Sequence, residues 1–475
     1  TGGPHVIHFD QFGVTDADVR ATLAAALARG ADDADLYFEH AGSNAVALSD
    51  GKVSRASTHV DLGVGVRVVV GDQVGYAYTE DLSRPAMLRA AQVASEIAAG
   101  TRAQAPVDVV PHAPFADRYP IARPWEQVEM AARVAMVRAW EQRVFALDPR
   151  VRKVETSLAD SFRHVVVVRA DGRLTYDYQP MTRGFVSCTA EQDGRRESAS
   201  ANLAQRMGLE FYTPERVERL CRKAVEDTTI LFDAVKPPAG EMTVVLGAGS
   251  SGILLHEAIG HGLEADFNRK GVSIYAGRIG QRIAPAGVTV VDDGTLLHAR
   301  GSINVDDEGN PAERTVLIED GVLRSYMHDA ISARHYGVAP TGSGRRESFR
   351  HTVLPRMRAT YMDPGGYDPA EIIASVDRGI YCATFANGQV QIGAGDFAFY
   401  VRHGWMIEGG KLTRPIKDVN LVGNGPKVLE TVEMVGNDLV IDEGGWTCGK
   451  DGQGMPVSQG MPTVKVSRLS VGGAS

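Results

Sequence analysis

Apolar and polar positions follow one rhythm over the first half of the chain and another over the second. Up to residue 231, segments with helical spacing fall at about 15–29, 83–98, 125–146 and 213–228. Strand-like runs occupy about 33–79 and 150–200 between them. The order helix, strands, helix thus occurs twice, each time with an Asp-Gly hairpin signal, Asp50-Gly51 and Asp171-Gly172. Matching length and order point to a duplication, with halves near 10–104 and 125–231. Beyond residue 242 the pattern changes to short strands separated by turn signals. VLIEDGVLRSYM forms a hairpin pattern around Asp320-Gly321, and AFYVRHGWMIEGGKLTRP another around Gly409-Gly410. Such spacing predicts antiparallel sheets with barrel-like closure. Two stretches break the rhythm: residues 105–124, with five prolines, and FDAVKPPAGEM at 232–242. The expected class is therefore α+β. Residues 1–235 would form a mixed helix and antiparallel-sheet domain with two similar halves, and 236–475 a mainly antiparallel, barrel-like domain.

Residues 244–267, VVLGAGSSGILLHEAIGHGLEADF, carry two competing chemistries. Gly247, Gly249 and Gly252 fit G-x-G-x-x-G, which would support a nucleotide-dependent oxidoreductase. That fingerprint requires a second strand ending in Asp or Glu roughly 20 residues further on. The window DFNRKGVSIYAGRIG holds no acid that closes an apolar strand, so the glycines read better as a tight strand-to-helix turn. His256 and Glu257 lie between Leu254-Leu255 and Ala258-Ile259, so the segment should be buried, where an unpaired charge is costly. A metal ion shared by His256 and His261, with Glu257 beside it, would satisfy all three groups. Zinc proteases usually show H-E-x-x-H, with the histidines four apart. Here they are five apart, which is roughly 140° around an ideal helix. A π-bulge would bring them back to one face, and Gly260 makes such a distortion easier.

HEAIGHGLEADFNRKG resembles the signature of the TldD family of zinc metalloproteases, whose paralogues are the PmbA (TldE) proteins. Similar segments run along nearly the whole chain: DLYFEH at 35–40, LGVGVRVVVGDQVGYAY at 62–78, VDDGT at 291–295, DDEG at 306–309, PTGSGRRES at 340–348, GNGPKVLETVEMVGNDL at 423–439 and the closing CGKDGQGMPVSQGMPTVKV. The resemblance implies a zinc peptidase acting on unfolded peptides, usually as a heterodimer with a PmbA-like subunit. It also implies Cys448 as the third zinc ligand, a choice that spacing alone does not make. Glu264, which completes H-x4-H-x2-E, is the rival ligand and otherwise an acid orienting one histidine. Glu257 takes the general-base position of H-E-x-x-H enzymes. The same resemblance leaves open a non-catalytic assembly subunit, which the intact motif and Cys448 argue against.

Composition narrows the field further. With 44% hydrophobic and 23% charged residues, the chain is an ordinary globular sequence. A net charge of −9 without a basic block lacks the footprint of a nucleic-acid binder. No apolar run approaches the roughly 18 residues needed to cross a bilayer. Thr1 begins a TGGP stretch that reads as a processing remnant. Cys188, Cys221, Cys382 and Cys448 form no C-x-x-C pair, which points to reduced thiols in a cytoplasmic protein. Three of them sit in ordinary settings and read as buried, inert thiols, whereas Cys448 lies in the glycine-dense EGGWTCGKDGQG. Arg345-Arg346 reads as either a substrate contact or a solvated basic turn, and Asp306-Asp307-Glu308 as a hairpin turn more economically than as a cation site.

Overall fold

Strands of 17 to 20 residues set the shape of the first half. They are several times longer than a common strand, so one helix pair cannot cover them. In the computed structural model, which describes residues 7–98, 108–112, 115–391 and 393–473, Asp33–Ser49 lies at the centre of a seven-stranded sheet. It pairs antiparallel with Lys52–Val70 on one side and Val151–Arg169 on the other. Outside these lie Gln73–Thr79 and Arg173–Gln192, the latter also pairing with Arg195–Gln205. The strand order is thus mirrored about the central pair. Helices Asp16–Leu27 and Arg84–Ser95 cover one end, packing around Leu36, Phe38, Val64, Val66 and Val166. Helices Met130–Leu147 and Pro214–Thr229 cover the other, around Val46, Leu48, Val154, Leu158 and Val186. TGGP at the start, residues 99–104 of the first expected half, and 105–107 and 113–114 of the proline-rich stretch lie outside the described residues.

Local chemistry explains the ends of these elements. Thr15 and Asp18 close a capping box on the first long helix. Thr213 caps the last, with Pro214 at a position where no amide hydrogen is needed. Asp50 and Gly51 both take positive φ, +50° and +75°, as the hairpin signal requires. Asp193-Gly194, which was not singled out from sequence, repeats that geometry between the last two strands, whereas at Asp171-Gly172 only the glycine takes positive φ. The helix expected from about 125 begins at Met130 instead. Trp125 is buried ahead of it, its indole N–H donating to the Met207 carbonyl at 2.9 Å.

The second half is built from shorter strands, as the turn signals indicated. Arg378–Val390, Gly240–Leu246, Val464–Gly473, Val419–Asn424 and Asp396–Glu408 pair in that order, and the last returns to the first to close a five-stranded barrel. A second sheet of six short strands includes Val290–Asp293, Ala359–Met362 and Ser458–Met461. The helical segment following Leu246 packs against both sheets and shares one large core with them, including Leu254, Leu255, Ile259, Phe399 and Met461. No helix among the described residues is long and apolar enough to cross a membrane.

Charges, not only apolar groups, join the two halves. Arg67 contacts Asp35 at 2.6 Å and Glu308 at 2.7 Å, while Arg346 contacts Asp35 at 2.9 Å, all of them buried. Arg345 and Arg346 are therefore not the solvated basic turn that their local sequence suggested. Arg346 meets Asp35, 311 positions earlier, and Arg345 donates to the carbonyls of Met357 and Pro456, none of which a local reading supplies. Asp306–Glu308 does form a turn, bridged by Val305 and Pro311, but a buried one.

Candidate metal centre

The glycines after Leu246 serve packing. Gly249 takes φ +93°, and a side chain on Gly252 would begin 2.6 Å from the Gly460 nitrogen. The strand Gly240–Leu246 therefore turns at once into helix, and no parallel β-α-β unit follows. Helical turns then succeed one another: Ile253–Leu255, a π turn over His256–Gly260, and a tighter turn over His261–Leu263. Within the π turn the His261 amide donates to the His256 carbonyl, five residues back. The five-residue spacing is thus absorbed and both imidazoles share one face. Any side chain on Gly260 would run into Met357 Sδ, which is why glycine stands there.

His256, His261 and Cys448 are 2%, 3% and 3% exposed, and their candidate ligand atoms all lie within 4.8 Å of one another. The two rings stand nearly perpendicular, with centroids 5.1 Å apart. Cys448 Sγ lies 3.4 Å from His261 Nε2. Cys448 was expected in a glycine-dense loop; it occupies a short strand, Thr447–Lys450, paired with Gln453–Pro456. Strand alternation buries Cys448 and Lys450 on one face and leaves Thr447 and Gly449 on the other. Glu257 Oε2 approaches His261 Nε2 at 3.8 Å, and with 19% of its side chain exposed it is the group of this cluster that reaches solvent.

Glu264 stands behind the cluster. Its Oε1 accepts from His261 Nδ1 at 2.6 Å, which leaves Nε2 facing Cys448. Lys450 lies 3.7 Å from Glu264 and 2.8 Å from Asp266, and it donates to the Pro355 carbonyl at 3.0 Å. Arg356 Nη2 donates to the Cys448 carbonyl at 2.7 Å. Burial opposes charge on Glu264, but Lys450 and His261 bring its carboxyl down to about 2. Burial likewise opposes the Cys448 thiolate; His256 and His261 overcome it and hold the thiol well below its ordinary value. Glu264 and Cys448 in turn keep His261 well above the usual imidazole range despite its burial. Two imidazole nitrogens and a thiolate make a donor set suited to zinc, and the pairing of His261 with a carboxylate fixes the tautomer such a ligand needs. His256 Nδ1 is buried with no hydrogen-bond partner.

The structure thus brings together His256, His261 and Cys448 and places Glu257 beside them. Glu264 stands one residue further from the centre, behind His261. Lys450 and Arg356 were not picked out from sequence. The only signal for Lys450 was its two-residue offset from Cys448 on a strand. Cys188, Cys221 and Cys382 are buried thiols, as expected; burial raises all three, Cys221 to about 12.

Most of the chain matches the models of one protein family. Residues 34–98 match the PmbA/TldA metallopeptidase domain 1, residues 123–232 its central domain and residues 239–473 its C-terminal domain. The chain belongs to the PmbA/TldD metallopeptidase family. A metalloprotease TldD homolog of Haemophilus influenzae is 39% identical over 457 residues, covering 94% of each chain. A zinc metalloprotease TldD homolog of Saccharolobus solfataricus is 35% identical over 238 residues, covering 50% of this chain and 53% of that one. The crystal structure of TldE from Thermococcus kodakarensis superposes with a TM-score of 0.75 at 16% identity, covering 97% of this chain and all of that one.

Proposed function

We propose that the chain is a zinc-dependent peptidase that hydrolyses unfolded or small peptides, the TldD-like catalytic subunit of a pair with a PmbA/TldE-like protein. The observation that carries this reading is the convergence of His256, His261 and Cys448 within 4.8 Å, with Glu257 alongside. His256, His261 and Cys448 would hold the ion. An ion held there would supply Lewis acidity toward a peptide carbonyl and a water. Glu257 takes the proton of the attacking water at its carboxylate and passes it to the leaving amine. Glu264 keeps His261 turned toward the ion, and Lys450 and Arg356 hold the carboxylate and the Cys448 strand in place. The surrounding core excludes water from all but the Glu257 side. Four free thiols support a cytoplasmic setting.

The test is Glu257→Gln. An amide cannot take the proton, so the variant should keep about one zinc per chain and lose peptidase activity by about 10²–10⁴-fold. A variant as active as the parent removes Glu257 from the mechanism. About one zinc per chain in the purified parent is the accompanying expectation, since a single site takes one ion.

A further inference from the structure

A cleft of about 790 Å³ opens between the long sheet and the Thr447–Pro456 hairpin. Thr447 and Pro456 line it on the hairpin face opposite Cys448. Arg163, Arg183, Arg206 and Arg300 also line it. Arg206 is 3% exposed and its Nε meets no acceptor. Among the described residues, no carboxylate pairs with Arg183, Arg206 or Arg300. Arg300 spends its contacts on the Trp446 carbonyl, at 2.9 Å, and Thr447 Oγ1, at 3.1 Å. Asp160, the one acid among the described residues lining the cleft, is already held by Arg133 at 2.5 Å and Asn44 at 3.0 Å. Asp177 acts on Arg206 from behind, but Tyr119, Gln179 and Asn304 all donate to it. Burial and the neighbouring Arg206 and Arg183 draw Arg300 down to about 9. A buried guanidinium such as that of Arg206 is costly without a counter-charge unless a ligand supplies it, while Arg300 is half-buried and Arg183 exposed beside it.

We propose that this cleft binds the carboxylates of a peptide, so that the substrates drawn to this chain are acidic peptides. Planar guanidinium forks match carboxylates in pairs of hydrogen bonds. The cleft is much larger than a single inorganic anion, and hydroxyl and amide groups such as Ser43, Ser57, Ser161 and Gln179 complete a lining suited to peptide backbone. Occupancy would press on the strand carrying Cys448, linking peptide capture to the metal centre. The proposal rests on the peptidase reading for its substrate. The cationic wall stands independently of it.

Binding, rather than turnover, tests it. Fluorescence anisotropy of labelled decapeptides would be measured on the intact chain carrying Glu257→Gln. A Glu-rich peptide should bind at least about tenfold more tightly than its Gln counterpart, as one strong charge-assisted contact provides. Amidating the peptide terminus should change the affinity little, and loss of binding on amidation alone, with the Glu side chains in place, overturns the assignment to acidic side chains. Arg206→Gln should reduce the affinity for the acidic peptide at least about fivefold. Arg183→Gln, on an exposed wall, should do so without endangering the fold. Equal binding of acidic and neutral peptides overturns the proposal. So does unchanged binding in both folded variants, or tighter binding of a single-stranded oligonucleotide. Failure of the peptidase reading is a separate result: no hydrolysis of either peptide by the zinc-loaded parent with its partner.

Discussion

Replacing Glu264 by Gln separates a ligand from the support of a ligand. The carboxylate accepts from His261 Nδ1 at 2.6 Å in a fully buried setting. A hydrogen bond to a charged acceptor contributes about 1.5–3 kcal/mol, and a neutral one about 1 kcal/mol. Gln keeps the shape and still offers an oxygen, so the variant should lose roughly 0.5–2 kcal/mol of orientation for His261. That corresponds to a metal affinity lower by about 2- to 30-fold, overlapping the loss typical of such partners. Lys450 would not be stranded, because Asp266 remains 2.8 Å away. Cys448→Ala removes a donor atom outright and should surrender the metal completely. Competition of each protein for zinc against a chromogenic chelator at neutral pH reads both effects on one scale. If Glu264→Gln loses zinc as completely as Cys448→Ala, the carboxylate is itself a ligand. If its affinity equals that of the parent, the bond to His261 orients nothing.

Alone, the chain should be weakly active or inactive on casein-like unfolded substrates, with activity restored by a PmbA/TldE-like partner; full activity of the purified monomer would count against the pair. Burial raises the Asp177 carboxyl to about 6, above its free value of 3.8, although Tyr119, Gln179 and Asn304 donate to it. The folded state then binds the proton more tightly, so stability falls as pH rises from about 4 to about 6. Roughly two pH units at about 1.4 kcal/mol each set an upper bound of about 3 kcal/mol. Asp177→Asn should lack that slope, so the stability difference between variant and parent in urea should grow over this window; a difference independent of pH refutes the assignment. Gly252→Ala should destabilise more than Gly260→Ala, because Gly252 abuts the Gly460 backbone whereas Gly260 abuts the flexible end of Met357. Each should fall within about 1–3 kcal/mol by thermal unfolding, and the reverse order would show that the π turn tolerates less than its surroundings.

Periodicity carried the long strands and their four covering helices into view because each element shows one apolar face. The need for a π turn could also be read, since five residues on a regular helix leave His256 and His261 on different faces. Cys448 could not be read in the same way: 187 residues separate it from His261, and only the family resemblance selected it. The charge network was misjudged for a related reason. Arg346 looks solvated beside Ser343 and Glu347, but its partner Asp35 lies 311 positions earlier. Local sequence reports which face of an element is apolar; it does not report which distant charge arrives to cover a polar one.

That network sets a matching rule for any exchange of parts between relatives. Each half of the chain presents one cation and one anion to the other: Arg67 and Asp35 from the first, Arg346 and Glu308 from the second. Together the four charges cancel, and hydrophobic residues of similar size could hold the halves as firmly. What they add is discrimination. A foreign half with a neutral residue at position 35 would leave Arg67 with Glu308 but Arg346 without its carboxylate in a dry seam, a fault of about 3–5 kcal/mol. A chimera can therefore be assembled only from halves whose charges are complementary, however similar their folds.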